Sequence, residues 1–299
     1  MNKERVLFTG ASGFIGKNIL DSLSKLYEIE SLGLSDRDIY YVDISNEIPD
    51  FKKGYDLIIH AAGKAHHISK NNDQLFFDIN FNGTKNLCAG LERNIIPKVF
   101  IFLSTVAVYG LDCGQDINED YPLNGKTPYA LSKIAAESYL QEWCAKHNVI
   151  LGIIRPSLIA GKNPPGNLGE MINGIKSGRY FRIGDGRTRK SVLMAEDLVR
   201  IIPRLAEKGG CYNMCDDHHP SFAELESLIA KQLGKKGPVS IPYWSAKFLA
   251  VIGDIMGDRF PVNSIKLNKL VQSLTFSNKK AKQDLDWEPL DVLSNFRIS

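Results

Sequence analysis

Short apolar runs rich in branched and aromatic residues recur at Val6–Thr9, Ile29–Leu34, Tyr40–Val42, Leu57–His60, Val99–Leu103 and Val149–Ile154. Between most of them lie longer segments whose apolar residues return at three- and four-residue steps, which predicts helices over Ile15–Leu26, Asp73–Arg93 and Tyr129–His147. Alternation of the two patterns predicts a parallel sheet with helices on both faces. Near-continuous apolar runs such as Val99-Phe100-Ile101-Phe102-Leu103 fit strands buried on both sides. Right-handed crossovers then give an α/β fold of the Rossmann, doubly wound kind.

The alternation stops after Arg155-Pro156, where the Gly/Pro-rich stretch Gly161-Lys162-Asn163-Pro164-Pro165-Gly166 marks a loop or junction. Beyond it the pattern is mostly helical, at Leu168–Ser177, Ala195–Glu207, Phe222–Leu233, Trp244–Met256 and Ser277–Leu285, with a strand at Cys211–Met214. A dinucleotide-binding domain over 1–160 plus about 190–215 is expected, with a smaller, mainly helical substrate lobe over 161–189 and 216–299. Open parallel sheets bind ligands beyond the carboxyl ends of their strands, so the cleft between the lobes is the expected substrate site.

Composition narrows the function classes. The 299 residues are 43% hydrophobic, enough for a full core, and 37 basic against 34 acidic residues leave a net charge of +3. That balance argues against nucleic acid or a membrane surface as partner and is compatible with a small anionic ligand. No apolar stretch approaches the roughly 20 residues needed to span a bilayer, and the simplest expected location is the cytoplasm. Cysteines 88, 113, 144, 211 and 215 are odd in number and lack zinc-type spacing, so they read as reduced thiols. The pairs His66-His67 and His218-His219 direct adjacent side chains apart, and no metal is expected.

Two motifs carry chemistry. Thr9-Gly10-Ala11-Ser12-Gly13-Phe14-Ile15-Gly16 joins the first apolar run to the first helix. Such turns also occur for packing alone, but here both flanks fit a strand–turn–helix in which glycines let the backbone approach a pyrophosphate at the positive helix end. Gly10, Ser12, Gly13, Phe14, Ile15 and Gly16 are therefore candidate cofactor residues. Tyr129-Ala130-Leu131-Ser132-Lys133 sets a phenol and an ammonium four residues apart, on one face of a predicted helix. A free tyrosine has a pKa near 10, and a nearby positive charge favours its anion, so Lys133 is expected to ready Tyr129 for proton exchange. The spacing alone is common; its place after the fifth strand of a nucleotide-binding sheet is what points to catalysis. Ser104 and Thr105 end that strand, where they either cap it or hold a substrate oxygen beside Tyr129.

With these residues the chain resembles an extended short-chain dehydrogenase/reductase of the NAD-dependent epimerase/dehydratase family acting on nucleotide sugars, over nearly its whole length. Further matching pieces are Asp43-Ile44, His60-Ala61-Ala62-Gly63, Asn80 in Asn80-Phe81-Asn82-Gly83-Thr84, Arg155-Pro156, Asn167 and Leu285-Asp286-Trp287-Glu288-Pro289. The resemblance implies that Asp43 and Ile44 meet adenine, that Ala61, Ala62, Gly63, Asn80 and Pro156 line the cofactor, and that Lys133 bonds its ribose. It further implies a catalytic trio of Thr105, Tyr129 and Lys133, with substrate contacts from Thr105, Tyr129, Asn167 and, beside the cofactor loop, Lys64 and His66. The family's diphosphate-binding arginine aligns without gaps to Lys190, next to Arg189; a solvated basic face is the other reading of this cluster. Long paired helices in family members imply a homodimer through Asp73–Arg93 and Tyr129–His147.

Departures from the family pattern sharpen the reading. Thr105 stands where serine is usual, which keeps the hydroxyl. Val106-Ala107 occupy the places where 4,6-dehydratases carry Asp-Glu, and apolar side chains do no acid/base work, so that dehydration is not expected. NAD-preferring members end the second strand with an acid, whereas Gly33 or Leu34 falls there. Ser35 with Arg37 could hold a 2′-phosphate, which favours NADP over NAD, with Asp36 as a rival ribose ligand. The expected function is an NAD(P)-dependent nucleotide-sugar epimerase or 4-keto-sugar reductase. The alternative is a catalytically silent NAD(P)-binding sensor or scaffold.

Overall fold

The computed structural model describes residues 3–65, 73–256 and 264–298; His66 and His67 lie outside the described residues. In chain order the elements are β1 (Arg5–Thr9), α1 (Phe14–Leu26), β2 (Glu28–Gly33), β3 (Tyr40–Tyr41), β4 (Leu57–His60), α2 (Gln74–Phe77), a π-helical turn (Asp78–Asn82), α3 (Gly83–Glu92), β5 (Val99–Leu103), a 3₁₀ turn (Val106–Tyr109), β6 (Gly114–Ile117) and α4 (Pro128–His147). They continue as β7 (Ile150–Pro156), β8 (Leu158–Ala160), α5 (Gly166–Lys176), β9 (Phe181–Ile183), β10 (Val192–Met194), α6 (Ala195–Lys208), β11 (Gly210–Met214) and α7 (Phe222–Gln232). The last are β12 (Val239–Ile241), α8 (Tyr243–Met256), α9 (Ser264–Val271), β13 (Leu274–Phe276), α10 (Lys279–Leu285) and α11 (Val292–Asn295).

Seven strands form one parallel sheet in the order β3-β2-β1-β4-β5-β7-β11, with β1 pairing β2 on one side and β4 on the other. Successive strand residues point to opposite faces, so the apolar runs divide between two cores. Val6, Phe8, Leu57, Ile59, Ile101 and Leu103 meet α1 and α6, while Leu7, Ile58, Phe100 and Phe102 meet α3 and α4. The expected Rossmann arrangement is thus present, and the chain reverses its direction of sheet growth between β1 and β4, where such sheets bind their ligands.

The expected helix over 73–93 is broken by the π-helical turn at Asp78–Asn82. A π insertion shifts the helical register by one residue and often marks a functional site. Here Asn80 lies in that turn, fully buried. Three parallel strand pairs, β8–β10, β9–β12 and β6–β13, lie outside the main sheet. A further core joins Leu168, Met171 and Ile175 of α5, Leu225 and Ile229 of α7, and Val292 and Phe296 at α11. All five cysteines are unpaired, and Cys88, Cys144 and Cys215 are buried. No helix among the described residues is long and apolar enough to cross a membrane.

Candidate active site

The turn between β1 and α1 is shaped by two glycines. Gly10 has φ +81°, and a Cβ there would lie 2.7 Å from the Ala62 nitrogen, so the loops after β1 and β4 touch backbone to backbone. A Cβ on Gly16 would come 2.3 Å from the Ala11 oxygen, so the first turn of α1 sits directly on the loop. Gly13 is the N-cap and supplies no side-chain cap, and no acidic residue stands in the first turn of α1. The amides at this positive end are therefore suited to an external anion, and the cradle fits a dinucleotide pyrophosphate. Pro156 is buried at the end of β7, and the next residue, Ser157, holds a buried hydroxyl with no partner among the described residues.

The ends of β1 and β4 are held by a chain of hydrogen bonds through His60. The Ala62 amide donates to Thr9 Oγ1 (3.1 Å), and Thr84 Oγ1 donates to the Asn80 carbonyl (2.6 Å). With its proton so used, Thr84 accepts from His60 Nε2 (2.9 Å), which assigns the Nε2–H tautomer. His60 Nδ1 then accepts from the Thr9 hydroxyl (2.6 Å). Burial, and then the Lys133 ammonium, push the His60 pKa down to about 3, so the ring is neutral. Asn80 buckles the adjacent loop: its Oδ1 accepts from the Lys64 amide (2.7 Å), and its Nδ2 donates to the Lys64 carbonyl (3.0 Å) and to Ser132 Oγ (2.9 Å). Asn80 thus shapes the Ala61-Ala62-Gly63-Lys64 segment and spends its amide within the protein.

Thr105, Tyr129 and Lys133 come together at the end of β5. Thr127 caps α4 by accepting from the Ala130 amide (3.2 Å), and Pro128 fills the first turn, which sets Tyr129 at the helix entry with Lys133 one turn on. Thr105 Oγ1 accepts from the Ala107 amide (3.1 Å), which orients its hydroxyl. Burial raises the Tyr129 pKa above its ordinary value, and a hydrogen bond from Thr105 opposes that shift. Lys133 is buried, donates to the Leu103 carbonyl (2.8 Å) and lies 4.5 Å from the centre of the Phe102 ring. Burial lowers its pKa to about 8, with Glu137 opposing. The partner that favours the Tyr129 anion here is therefore Thr105, while Lys133 is docked on β5 with its ammonium next to Gly63, 3.1 Å from where a Cβ would stand.

Behind this trio runs a buried network that sequence reasoning missed. Glu137, one turn beyond Lys133 on the same face of α4, accepts from Ser104 Oγ and from Arg155 Nε (3.1 Å) and Nη2 (2.6 Å). Arg155 Nη1 also donates to Tyr109 Oη (2.9 Å), whose hydroxyl donates to Asn213 Oδ1 (2.7 Å). The four-residue spacing Tyr129, Lys133, Glu137 was the available signal.

Other candidate residues fall in several places. A Cβ on Gly33 would stand 2.5 Å from the Asp38 carboxylate, which accepts from the Ser35 amide (2.9 Å), so Asp38 brings an acid to the end of β2, while Asp36 is exposed. Ser35 Oγ accepts from the Arg37 amide (3.3 Å), and the Arg37 side chain is exposed. Asp43 is engaged with Ser45 and Asn46, and Ile44 packs against Gly83. Asn167 is exposed in the first turn of α5. Arg189 donates to the His219 carbonyl (2.7 Å) and Lys190 to the Gln272 carbonyl (2.8 Å), so both cations are seated on backbone oxygens.

A model of the NAD dependent epimerase/dehydratase family matches residues 6–215, and the chain belongs to that family. It is similar to the N-acetyl-alpha-D-glucosaminyl-diphospho-ditrans,octacis-undecaprenol 4-epimerase of Escherichia coli O157:H7, with 28% identity over 297 residues covering 93% of this chain and 88% of the relative. It is also similar to the GDP-6-deoxy-D-mannose reductase of Pseudomonas aeruginosa, with 26% identity covering 76% of this chain and 79% of that one. Among solved structures, UDP-glucuronic acid 4-epimerase from Bacillus cereus in complex with NAD superposes with a TM-score of 0.74 at 19% identity, covering 97% of this chain and 95% of the other.

Proposed function

We propose that this family member is a nicotinamide-dependent oxidoreductase of diphosphate-linked sugars, working as an epimerase or a 4-keto-sugar reductase. The observation that carries the reading is the Thr105–Tyr129 hydroxyl pair at the carboxyl end of β5, with Lys133 one helical turn along. Bound nicotinamide supplies hydride exchange at a sugar carbon. Tyr129 takes the proton of the sugar hydroxyl in the oxidising direction and returns it in the reducing direction. When substrate is bound, Thr105, held by the Ala107 amide, would turn its single hydroxyl proton from Tyr129 to the same sugar oxygen. Lys133 offers the cofactor ribose an ammonium beside Gly63, and Arg189, Lys190 and Asn167 are the candidates to meet the sugar-diphosphate. Val106 and Ala107 follow Thr105 in the 3₁₀ turn and carry no proton-transferring group, which argues against 4,6-dehydration.

Asp38 bears on which cofactor is used. Its carboxylate at the end of β2 would accept from a ribose 2′-hydroxyl and repel a 2′-phosphate, which supports NAD, against the sequence reading from Ser35 and Arg37. Replacing Asp38 by Asn should raise the NADPH-to-NADH ratio of kcat/KM by about 10-fold or more, since hydrogen bonds to charged groups contribute roughly 1.5–3 kcal/mol. An unchanged ratio sinks this assignment. The sugar's carrier is either a nucleotide, as for the Pseudomonas reductase, or a polyprenyl diphosphate, as the name of the Escherichia coli relative states for that protein.

The mechanism is tested by offering a panel of UDP-, GDP- and dTDP-sugars and a polyprenyl-diphosphate sugar, with product analysis. Tyr129→Phe should then lower turnover of any responsive substrate about 10²- to 10⁴-fold, with cofactor binding, read by fluorescence, little changed. Undiminished turnover refutes the role of Tyr129. Cofactor binding with no turnover across the panel supports the silent sensor instead.

A further inference from the structure

Helix α8 turns a small-residue face inward and a large apolar face outward. Ala246 and Ala250 are buried with Leu267 of α9, beside Ile183 of β9 and Ile241 of β12. On the opposite side Trp244, Phe248 and Val251, spaced at four and three residues, are 74%, 67% and 47% exposed. Single exposed apolar residues are ordinary, but three large ones on one helical face within two turns make a patch that calls for a partner. Val239 and Phe181 are register partners in the neighbouring β12–β9 pair and are also exposed.

Local charge says what kind of partner. From 231 to 256 the chain carries Lys231, Lys235, Lys236 and Lys247 against Asp254 alone, and the Asp254 carboxylate accepts from the Ser264 amide and hydroxyl. Thus in a chain that is nearly balanced overall the segment that carries the apolar helix is basic, with Lys247 exposed on the helix itself. A symmetric contact of α8 with a second copy would bring Lys247 towards its own image, a repulsion that an anionic surface turns into attraction. At 14 residues, α8 is about 21 Å long, too short for a hydrocarbon core of about 30 Å and suited to lying in the interface. Tryptophan and phenylalanine beside lysine are the residue types such helices use.

We propose that the Trp244–Phe248–Val251 face of α8 docks the enzyme on an anionic membrane surface, where its sugar is presented on a lipid diphosphate. The docking stands on the surface alone; the lipid-linked substrate rests on the sugar-diphosphate reading above. The global charge balance, which argued against a membrane partner, averages this segment with the rest of the chain.

The test uses the full chain with phosphatidylcholine vesicles, with and without about one third phosphatidylglycerol. Trp143 and Trp287 are buried, so Trp244 dominates any change of tryptophan emission. Expected are a blue shift and co-sedimentation with the anionic vesicles, both weakened by high salt. The paired variant Trp244→Glu, Phe248→Glu should bind at least about tenfold more weakly while turning over a water-soluble sugar substrate as the wild type does. Absence of binding to anionic vesicles, or equal binding by the variant, overturns the proposal. So does a dimer seen by light scattering that the variant dissolves without any change in vesicle binding. Vesicle binding with no turnover of any sugar leaves the docking in place and removes the substrate reading instead.

Discussion

His60 is neutral because it is walled in, and that makes it a proton-linked weak point. Its ordinary pKa of about 6.5 in the unfolded chain drops to about 3 in the fold, through burial and then Lys133. Between these values the unfolded chain holds a proton that the folded one does not, so stability rises with pH across the window and is lost as pH falls below about 6.5. Asp197 acts in the opposite sense. Burial raises its pKa to about 6, so its contribution is present at low pH and lost as pH rises through 6. The two are separated by comparison with His60→Gln, whose amide can donate to Thr84 and accept from Thr9 without titrating. Between about pH 7 and about pH 5 the wild type should lose about 2 kcal/mol more than the variant in urea unfolding, near the limit of about 1.4 kcal/mol per pH unit for one proton. Equal losses would mean that His60 is not the buried neutral group described.

At the scale of elements, the carboxyl end of β5 is held by charges on its neighbours. Glu137 of α4 and Arg155 of β7 form an ion pair whose side chains are 2% and 6% exposed, and it ties in Ser104 after β5, Tyr109 of the 3₁₀ turn and Asn213 of β11. Burial works against the charge on Arg155, and the Glu137 carboxylate more than offsets it, holding the guanidinium above its ordinary pKa. Removing one partner strands the other, so Arg155→Met should cost about 3–5 kcal/mol in denaturant unfolding. Arg155→Met with Glu137→Leu should cost clearly less than the two single changes added together. Strict additivity would show that the pair is not coupled. The strands of the main sheet were legible in the sequence as apolar runs, and α1 and α4 because each is long enough to show its period; the meeting of Thr105, Tyr129 and Lys133 at the end of β5 follows from their places on these elements. Arg155 was visible as a motif, but its pairing with Glu137 is a contact between a helix and a strand that spacing alone does not reveal. Asp38 reaches the end of β2 only because the turn from Ser35 folds back, and the π-helical turn at Asn80 adds one residue that a helical period does not register. Strands of three residues, such as β8, β9 and β10, are too short to show alternation.

Over the whole molecule, the last twenty residues fasten two cores to each other. Ala281, Leu285 and Trp287 enter the core built on β1, α1 and α6, whereas Val292 and Phe296, a few residues on, enter the core of α5 and α7. Between them the backbone is pinned at two carboxylates. The Leu290 amide donates to Asp197 of α6 (3.0 Å), and the Val292 amide donates to Asp216, just past β11 (2.7 Å). Such a clasp makes the stability of each core depend on the other, so the fold should behave as one cooperative unit although α5, α7 and α11 share a core of their own. Trp287→Ala removes the largest side chain of the clasp from a 3% exposed position and should cost about 3–5 kcal/mol. Native-state hydrogen exchange can follow the amides of Leu7 in β1 and Ile229 in α7, which report the two sides. Both should lose protection by the same amount in the variant, because they open in the same event. If β1 amides lose protection while those of α7 keep theirs, the two cores open independently, and the carboxy-terminal segment is a lid on the first core instead of a clasp between them.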